Sequence, residues 1–163
     1  MLKEKYKELI ELLLKEIKAF YKDRLVSVVL FGSVARETQR FDSDVDILII
    51  VENLPKGRLK RVIEFMQIEE KIEDYFKNLE NMGIYTHISP ILKTPEEVKK
   101  GSPLFLDLVE DAKILYDKDD FFKNKIEEIK KKLKKLGAKR YWLGNAWYWV
   151  LKPDIKPGES IEL

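Results

Sequence analysis

Two aspartates, Asp44 and Asp46, are separated by one residue and lead directly into an apolar run, Ile47 to Val51. Short β-branched runs of this kind indicate buried strands. Residues two apart in a strand point to the same face, so the two carboxylates are predicted to lie side by side. Adjacent like charges at the edge of a buried sheet are costly unless a cation lies between them. The pair therefore predicts a Mg²⁺-type site, since that ion favours one or two carboxylates together with phosphate oxygens.

A second motif, Gly32-Ser33, ends an earlier apolar run that begins at Leu25. Glycine lacks a Cβ at the tightest point of this predicted strand-to-helix turn. Backbone amides there, together with the Ser33 hydroxyl, are predicted to hold a phosphate at a helix N-terminus. Arg36 follows one turn later and is a candidate phosphate contact, because a guanidinium pairs well with phosphate oxygens. A phosphate-binding turn next to paired metal ligands indicates phosphoryl or nucleotidyl transfer.

Other interpretations of the aspartates are also available. A calcium-binding loop would need Gly where Ile47 stands and Glu where Asn53 stands, and this excludes it. A glycosyltransferase with a DxD motif stays open, as does a solvated aspartate-rich turn without a ligand. The preceding apolar run that ends in Gly-Ser favours nucleotidyl transfer over both.

The segments FGSVAR at 31–36 and SDVDILII at 43–50 form a two-part pattern. It resembles the signature of the DNA polymerase beta-type nucleotidyltransferase superfamily, in particular its minimal prokaryotic and archaeal members, over roughly residues 20 to 92. The resemblance implies an α/β (α+β) fold with a mixed β-sheet flanked by helices. It also implies a Gly-Ser turn that grips the triphosphate and two Asp ligands for a pair of Mg²⁺ (or Mn²⁺) ions. The implied reaction moves a nucleoside monophosphate from a nucleoside triphosphate, with ATP as the expected donor, to an unidentified acceptor.

Members of this superfamily usually supply a third carboxylate from a later strand. The corresponding predicted strand, Gly83 to Leu92, contains no acid, and His87 or Ser89 stands in its place. A neutral imidazole can ligate a metal or act as a base, so His87 is a candidate catalytic residue. A histidine packed at a strand end is an equally open interpretation. Asp42, or an acid between Asp107 and Asp111, could supply the base instead.

The missing acid also motivates a different class of function. The chain could be a catalytically impaired nucleotide-binding module, or an antitoxin-like module whose partner is a small helical protein. A third alternative is RNA binding, in which RNA would be the acceptor or the ligand.

The remaining elements are predicted from periodicity and from turn residues. Amphipathic helices are expected at 2–22 and 59–79, a Thr94-capped helix is followed by another after Pro103, and a short strand is expected at 114–116. A lysine-rich helix, Phe121 to Leu136, capped by Gly137, precedes an aromatic β-hairpin over 139–150 with a Gly144-Asn145 turn. The lysines and aromatics suggest RNA or adenine contacts. A solvated helix face and cross-strand aromatic pairing are the commoner explanations.

The 163 residues, 45% of them hydrophobic, suit a single domain, with a core over about 1–116 and the helix and hairpin of 117–163 appended. No apolar stretch is long enough to span a membrane, no signal-peptide pattern begins the sequence, and cysteine is absent. These features predict a cytoplasmic protein without disulfides. The Lys- and Glu-rich composition follows the trend of thermophile proteins. A net charge of +2 is too small to indicate nucleic-acid binding.

Overall fold

The computed structural model describes residues 1–144 and 146–161. A four-stranded sheet with the order β3-β2-β1-β4 forms its centre. Its strands are β1 (Leu25–Phe31), β2 (Val45–Val51), β3 (Ile88–Lys93) and β4 (Lys113–Asp117). β2 and β3 are parallel, whereas β1 is antiparallel to both β2 and β4. The mixed sheet that the resemblance implied is therefore confirmed.

Helices cover both faces of this sheet. Within the described residues they are α1 (Leu2–Tyr21), α2 (Gly32–Ala35), α3 (Arg58–Lys71), α4 (Glu73–Asn81), α5 (Pro95–Lys100), α6 (Leu104–Asp111) and α7 (Phe121–Leu136). Short 3₁₀ turns at Lys22–Arg24 and Lys118–Asp120 precede β1 and α7. A separate two-stranded sheet consists of β5 (Lys139–Leu143) and β6 (Ala146–Val150). None of the described helices is both long enough and apolar enough to cross a membrane.

The two faces of β2 bury two separate hydrophobic layers, because alternate residues of a strand point in opposite directions. Ile47 and Ile49 pack with the apolar faces of α1, α3 and α4. Leu48 and Ile50 pack with α5, α6 and α7. Asp46 shares the face of Leu48 and Ile50, so its side chain is directed towards the side of the sheet that α6 covers.

Two predicted boundaries were wrong. The single helix expected over 59–79 is divided at Ile72, which has a φ of −115° and a side chain only 1% exposed. The strand expected from Gly83 begins at Ile88, because β2 begins at Val45, the partner of Ile88 in the parallel ladder. The segment before β3 is held by hydrogen bonds from Tyr85 N to Phe41 O and from Val45 N to His87 O.

Several local signals were correct. Thr94 forms a capping box with Glu97, in which each side chain accepts a hydrogen bond from the other residue's backbone N–H, at 3.2 and 2.9 Å. Gly137 ends α7 in the left-handed conformation. The predicted strand at 114–116 is the centre of β4. The hairpin over 139–150 is also present, although Asn145 of its turn lies outside the described residues.

Asp117, at the end of β4, connects the sheet to α7. Its Oδ1 accepts hydrogen bonds from the Ser27 hydroxyl at 2.6 Å and from the Phe122 backbone N–H at 2.9 Å. Its Oδ2 accepts from the Lys123 backbone N–H at 2.9 Å. One carboxylate therefore satisfies free N–H groups in the first turn of α7 and holds that turn against β1.

Candidate active site

The turn after β1 brings the Gly-Ser motif against the start of β2. Phe31 pairs with Asp46 across the β1–β2 ladder, so the next residue, Gly32, lies beside Asp46. Gly32 has a φ of +73°, and a Cβ built on it would lie 2.1 Å from Asp46 Oδ2. The Asp46 carboxylate thus occupies the space that a side chain at residue 32 would need. Glycine is required here both for the backbone conformation and for the close approach.

The two aspartates of the motif differ in their surroundings. Asp44 is exposed and lies one residue before β2, whereas Asp46 is half-buried. Burial raises the pKa of the Asp46 carboxyl, the charge of Asp44 raises that pKa further, and the Arg36 guanidinium opposes both effects. The carboxylates therefore repel each other at close range, and a divalent cation would relieve this repulsion. Two carboxylates of this kind fit Mg²⁺, with phosphate oxygens completing its shell.

A tyrosine from α1 holds the loop that carries the aspartates. The Tyr6 hydroxyl lies 2.9 Å from the Arg40 carbonyl oxygen and 2.8 Å from that of Ser43. The Ser43 hydroxyl in turn accepts from the Arg40 backbone N–H at 2.8 Å. Tyr6 is only 2% exposed, so burial fixes the position of its hydroxyl. Nothing in the sequence pattern distinguished Tyr6 from the other apolar residues of α1.

A cleft of about 360 Å³ opens beside the Gly-Ser turn. Its lining residues come from the β1–α2 turn, β2, α6 and β6, and they are Phe31, Gly32, Ser33, Arg36, Asp46, Asp107 and Trp147. Four of the predicted site residues, namely Gly32, Ser33, Arg36 and Asp46, therefore border one space. Asp44 is not part of the lining, but its charge raises the pKa of the Asp46 carboxyl. Asp107 lies within the segment named above as an alternative source of the base, and Trp147 was not singled out by its position in the sequence.

The structure does not bring His87 into the lining of this cleft. His87 is exposed and precedes β3, where its carbonyl oxygen accepts a hydrogen bond from Val45 N at 2.9 Å. Burial raises the pKa of the Glu69 carboxyl, and the nearby His87 ring offsets part of that rise. Ser89, the other residue at the place of the missing acid, is the β3 partner of Asp46. Among the described residues, no three acids, histidines or cysteines come together in a metal-binding cluster.

The aromatic hairpin forms its predicted cross-strand pairs but does not extend the main sheet. Tyr141 and Tyr148 stack on one face, with ring centres 5.5 Å apart. On the other face Trp142 and Trp147 meet edge to face at 5.2 Å. This second face is directed towards the protein, because Trp149, which shares it, packs against the α7 side of the core. The hairpin therefore contributes Trp147 to the wall of the cleft.

A comparison with protein-family models matches residues 10–143 to the nucleotidyltransferase domain. The chain belongs to this nucleotidyltransferase family. The match includes the Gly-Ser turn and both aspartates, and it confirms the family that the sequence pattern resembled.

Two similar proteins come from the archaeon Methanocaldococcus jannaschii. One, a putative protein adenylyltransferase, is 38% identical to this nucleotidyltransferase over 132 residues, which cover 76% of this chain and 80% of the relative. Another, also named a putative protein adenylyltransferase, is 43% identical over 56 residues, which cover 34% of this chain and 57% of the relative.

Solved structures with a similar course of the chain include a toxin–antitoxin crystal structure with AMP-PNP. It is 17% identical, with a TM-score of 0.45, and the match covers 84% of this nucleotidyltransferase and 94% of that chain. Another is a tri-AMPylated Shewanella oneidensis HEPN toxin in complex with an MNT antitoxin, 15% identical with a TM-score of 0.43, covering 84% and 93%.

Proposed function

We propose that this nucleotidyltransferase is a Mg²⁺-dependent protein adenylyltransferase, which transfers AMP from ATP to a hydroxyl group of a partner protein. The family supports nucleotidyl transfer. The name of the 38%-identical relative supports both the adenylyl group and a protein acceptor. The observation that carries the proposal is the contact between the Gly32 backbone and the Asp46 carboxylate, because it joins a phosphate-binding turn to a metal ligand.

Asp44 and Asp46 would hold the Mg²⁺. When bound, Mg²⁺ polarises the α-phosphate and neutralises charge on the pyrophosphate leaving group. The Ser33 hydroxyl and the turn backbone bind phosphate oxygens, and the Arg36 guanidinium compensates their remaining charge. These residues orient the α-phosphorus towards the open side of the cleft, so positioning and charge stabilisation supply most of the rate.

The acceptor hydroxyl oxygen forms a bond to the α-phosphorus of ATP while the bond from that phosphorus to the bridging oxygen breaks. Pyrophosphate leaves, and the hydroxyl proton needs an acceptor. We assign this role to Asp107, which lines the same cleft from α6 and whose exposed carboxylate can receive a proton. His87 is the other candidate base. Asp107 is favoured over it because His87 is absent from the cleft lining.

Transfer is tested with ATP labelled on its α-phosphate, Mg²⁺ and a cell extract as the source of acceptor proteins. The wild-type chain is expected to label protein and to release pyrophosphate. Asp46→Asn is expected to reduce both by about 100-fold or more, because a ligand charge is lost where phosphate charge must be neutralised. Asp74→Asn, the same change on an exposed position of α4, is the matched control and should match wild type.

Equal labelling by Asp46→Asn and wild type would remove the metal assignment. Labelled RNA in place of labelled protein would instead redirect the proposal to an RNA acceptor. Two further variants separate the candidate bases. Asp107→Asn should lower the rate of transfer without weakening ATP binding, and His87→Gln should leave both unchanged.

The second candidate function is a catalytically impaired, antitoxin-like nucleotide-binding module. It is favoured by one observation, namely that among the described residues no third acid forms a metal-binding cluster with Asp44 and Asp46. This alternative predicts ATP binding without turnover, and a small helical protein that co-purifies with the chain. Turnover by the purified protein at ordinary enzymatic rates, above about one per second, would exclude it.

A further inference from the structure

The β6 strand, which forms one wall of the cleft, lies outside the residues that the family model matches. The family match ends at residue 143, whereas β6 spans Ala146–Val150. Trp147 on β6 nevertheless lines the cleft together with Asp46 and Ser33. Because the family match does not include Trp147, the role of this residue is inferred from its own contacts.

Two guanidinium groups lie over the Trp147 ring. The Arg36 Cζ is 5.0 Å from the ring centre, and the Arg140 Cζ is 5.3 Å from it. A cation is attracted to the face of an indole ring within about 6 Å, and tryptophan is the best of the aromatic side chains for this interaction. The ring therefore attracts two groups whose like charges would otherwise keep them apart.

The two arginines differ in what else they contact. Arg140 Nη1 forms an ion pair with Asp111 Oδ2 at 2.9 Å, and each side chain is only 16% exposed. Arg140 also lies over Trp142, 5.0 Å from that ring centre. The ion pair neutralises Arg140 and fixes the hairpin to the end of α6. Within the described residues Arg36 has no ion-pair partner, so its charge remains available to a ligand in the cleft.

We propose that Trp147 positions Arg36 for the phosphates of the bound nucleotide, so that the C-terminal hairpin forms part of the nucleotide site. This inference rests on the proposed function, because it requires that the cleft binds a nucleoside triphosphate. Arg36 directly follows α2, and its side chain is long and flexible. A ring held by β6 restricts that side chain to one edge of the cleft and lowers the entropy that phosphate binding would cost.

The alternative role for a tryptophan in this cleft is stacking on the nucleobase. The two roles are distinguished by comparing a ligand that has a base with one that has none. Positioning of Arg36 affects every ligand with a triphosphate, including inorganic tripolyphosphate, which has no base. Stacking affects ATP but leaves tripolyphosphate unchanged. Inorganic tripolyphosphate with Mg²⁺ is therefore the decisive probe, and ATP with Mg²⁺ is the reference.

The experiment measures the affinity of the full chain for both ligands by calorimetry. Trp147→Leu is expected to weaken both by about 5- to 10-fold, as the loss of a partly desolvated cation–π contact implies. Trp147→Phe, which keeps an aromatic face, should recover part of that loss. Tyr148→Leu is the matched control, because it removes an aromatic residue from the outer face of the same strand, and it should bind as wild type does. In an Arg36→Met background, Trp147→Leu should have no further effect.

Three results would overturn the proposal. Unchanged tripolyphosphate affinity with weakened ATP affinity would assign Trp147 to the base. Equal, additive losses in the Arg36→Met background would show that Trp147 acts independently of Arg36. Both results leave the proposed function intact. If wild-type protein binds neither ligand, the proposed function fails together with this inference. Thermal unfolding midpoints within about 2 °C of wild type for both Trp147→Leu and Trp147→Phe exclude a folding defect as the cause.

Discussion

Arg36 and Arg61 lie at opposite ends of the central sheet, and each borders a depression. Arg61 lines a depression of about 450 Å³ together with Gly57 and Glu97. Its guanidinium donates to the Pro55 carbonyl oxygen at 2.7 Å, to that of Leu92 at 3.1 Å and to Glu97 Oε1 at 2.7 Å. Arg36 lines the smaller cleft of about 360 Å³, where its guanidinium lies over the face of Trp147.

The two places differ in whether their polar groups already have partners within the chain, and the proposed site is inferred from that difference and not from the size of the depression. Around Arg61 the donors are matched by acceptors of the chain itself, so that arginine ties the β2–α3 loop, the end of β3 and α5 together. Among the described residues Arg36 forms no ion pair, and burial raises the pKa of the Asp46 carboxyl, which the Arg36 charge only partly offsets. Polar and charged groups that lack partners inside a cleft favour a ligand with complementary charge and hydrogen-bonding groups.

The largest expected effect is on nucleotide binding, and it is tested with the glycines at these two ends of the sheet, Gly32 and Gly57. Gly32→Ala should abolish binding of ATP with Mg²⁺, because its Cβ would displace the Asp46 carboxylate. Gly57→Ala is the matched control, with a φ of +90° and nothing within 4 Å of the added Cβ. Both variants should lose about 1–2 kcal/mol of stability from the left-handed backbone, but only Gly32→Ala should lose binding. Calorimetry measures the binding of ATP with Mg²⁺, and urea denaturation measures stability. Normal binding by Gly32→Ala would show that the close approach of Gly32 to Asp46 is not needed for nucleotide binding.

Arg61→Met is expected to act on stability alone. The variant leaves Glu97 and two carbonyl oxygens without their donor, and Arg61 itself is only 13% exposed. The free energy of unfolding should fall by about 2 kcal/mol, as measured by urea denaturation, while ATP affinity stays at the wild-type value. A loss of affinity without a loss of stability would show that the depression beside Arg61 is itself a ligand site.

Arg36→Met should behave in the opposite way. The affinity for ATP with Mg²⁺ should fall by about 10-fold, as the loss of one charge-assisted contact with phosphate implies. Its unfolding free energy should stay within about 0.5 kcal/mol of wild type, because no ion pair within the described residues is broken. A large loss of stability would mean that Arg36, like Arg61, is a structural residue.

The smallest effect concerns pH and the Arg61 end of the sheet. Burial raises the pKa of Glu97, but hydrogen bonds from the Thr94 backbone and from Arg61 outweigh it and hold the pKa below its ordinary value. A carboxyl whose pKa is depressed by folding stabilises the protein above its unfolded pKa, and this contribution is lost as the pH falls through its folded pKa. Glu97→Gln should therefore be less stable than wild type near neutral pH, and the difference should shrink in acid. A difference that is constant with pH would contradict this assignment.

The sequence was most informative where one residue type is physically required. Gly32 and Asp46 indicated the position of the cleft, because few other residues tolerate that turn or that proximity of charge. Thr94 located a helix start for a similar reason. The break at Ile72 could not be predicted, since the apolar spacing continues through it from one helix to the next.

Contacts between distant parts of the chain were not accessible from patterns. The sequence positions of Arg36 and Arg61 do not distinguish their roles, and only the fold gives Arg61 three acceptors. Trp147 could be predicted as part of an aromatic hairpin, but not as a neighbour of Arg36. The packing of α6 and α7 on one face of the sheet decides that contact.

Asp117 holds only the first turn of α7, and the hairpin follows the last. With 16 residues at 1.5 Å each, the helix between them is about 24 Å long. Ile126, Ile129 and Leu133 are buried along that length, so the helix is a rigid spacer that fixes how far the hairpin lies from the end of β4.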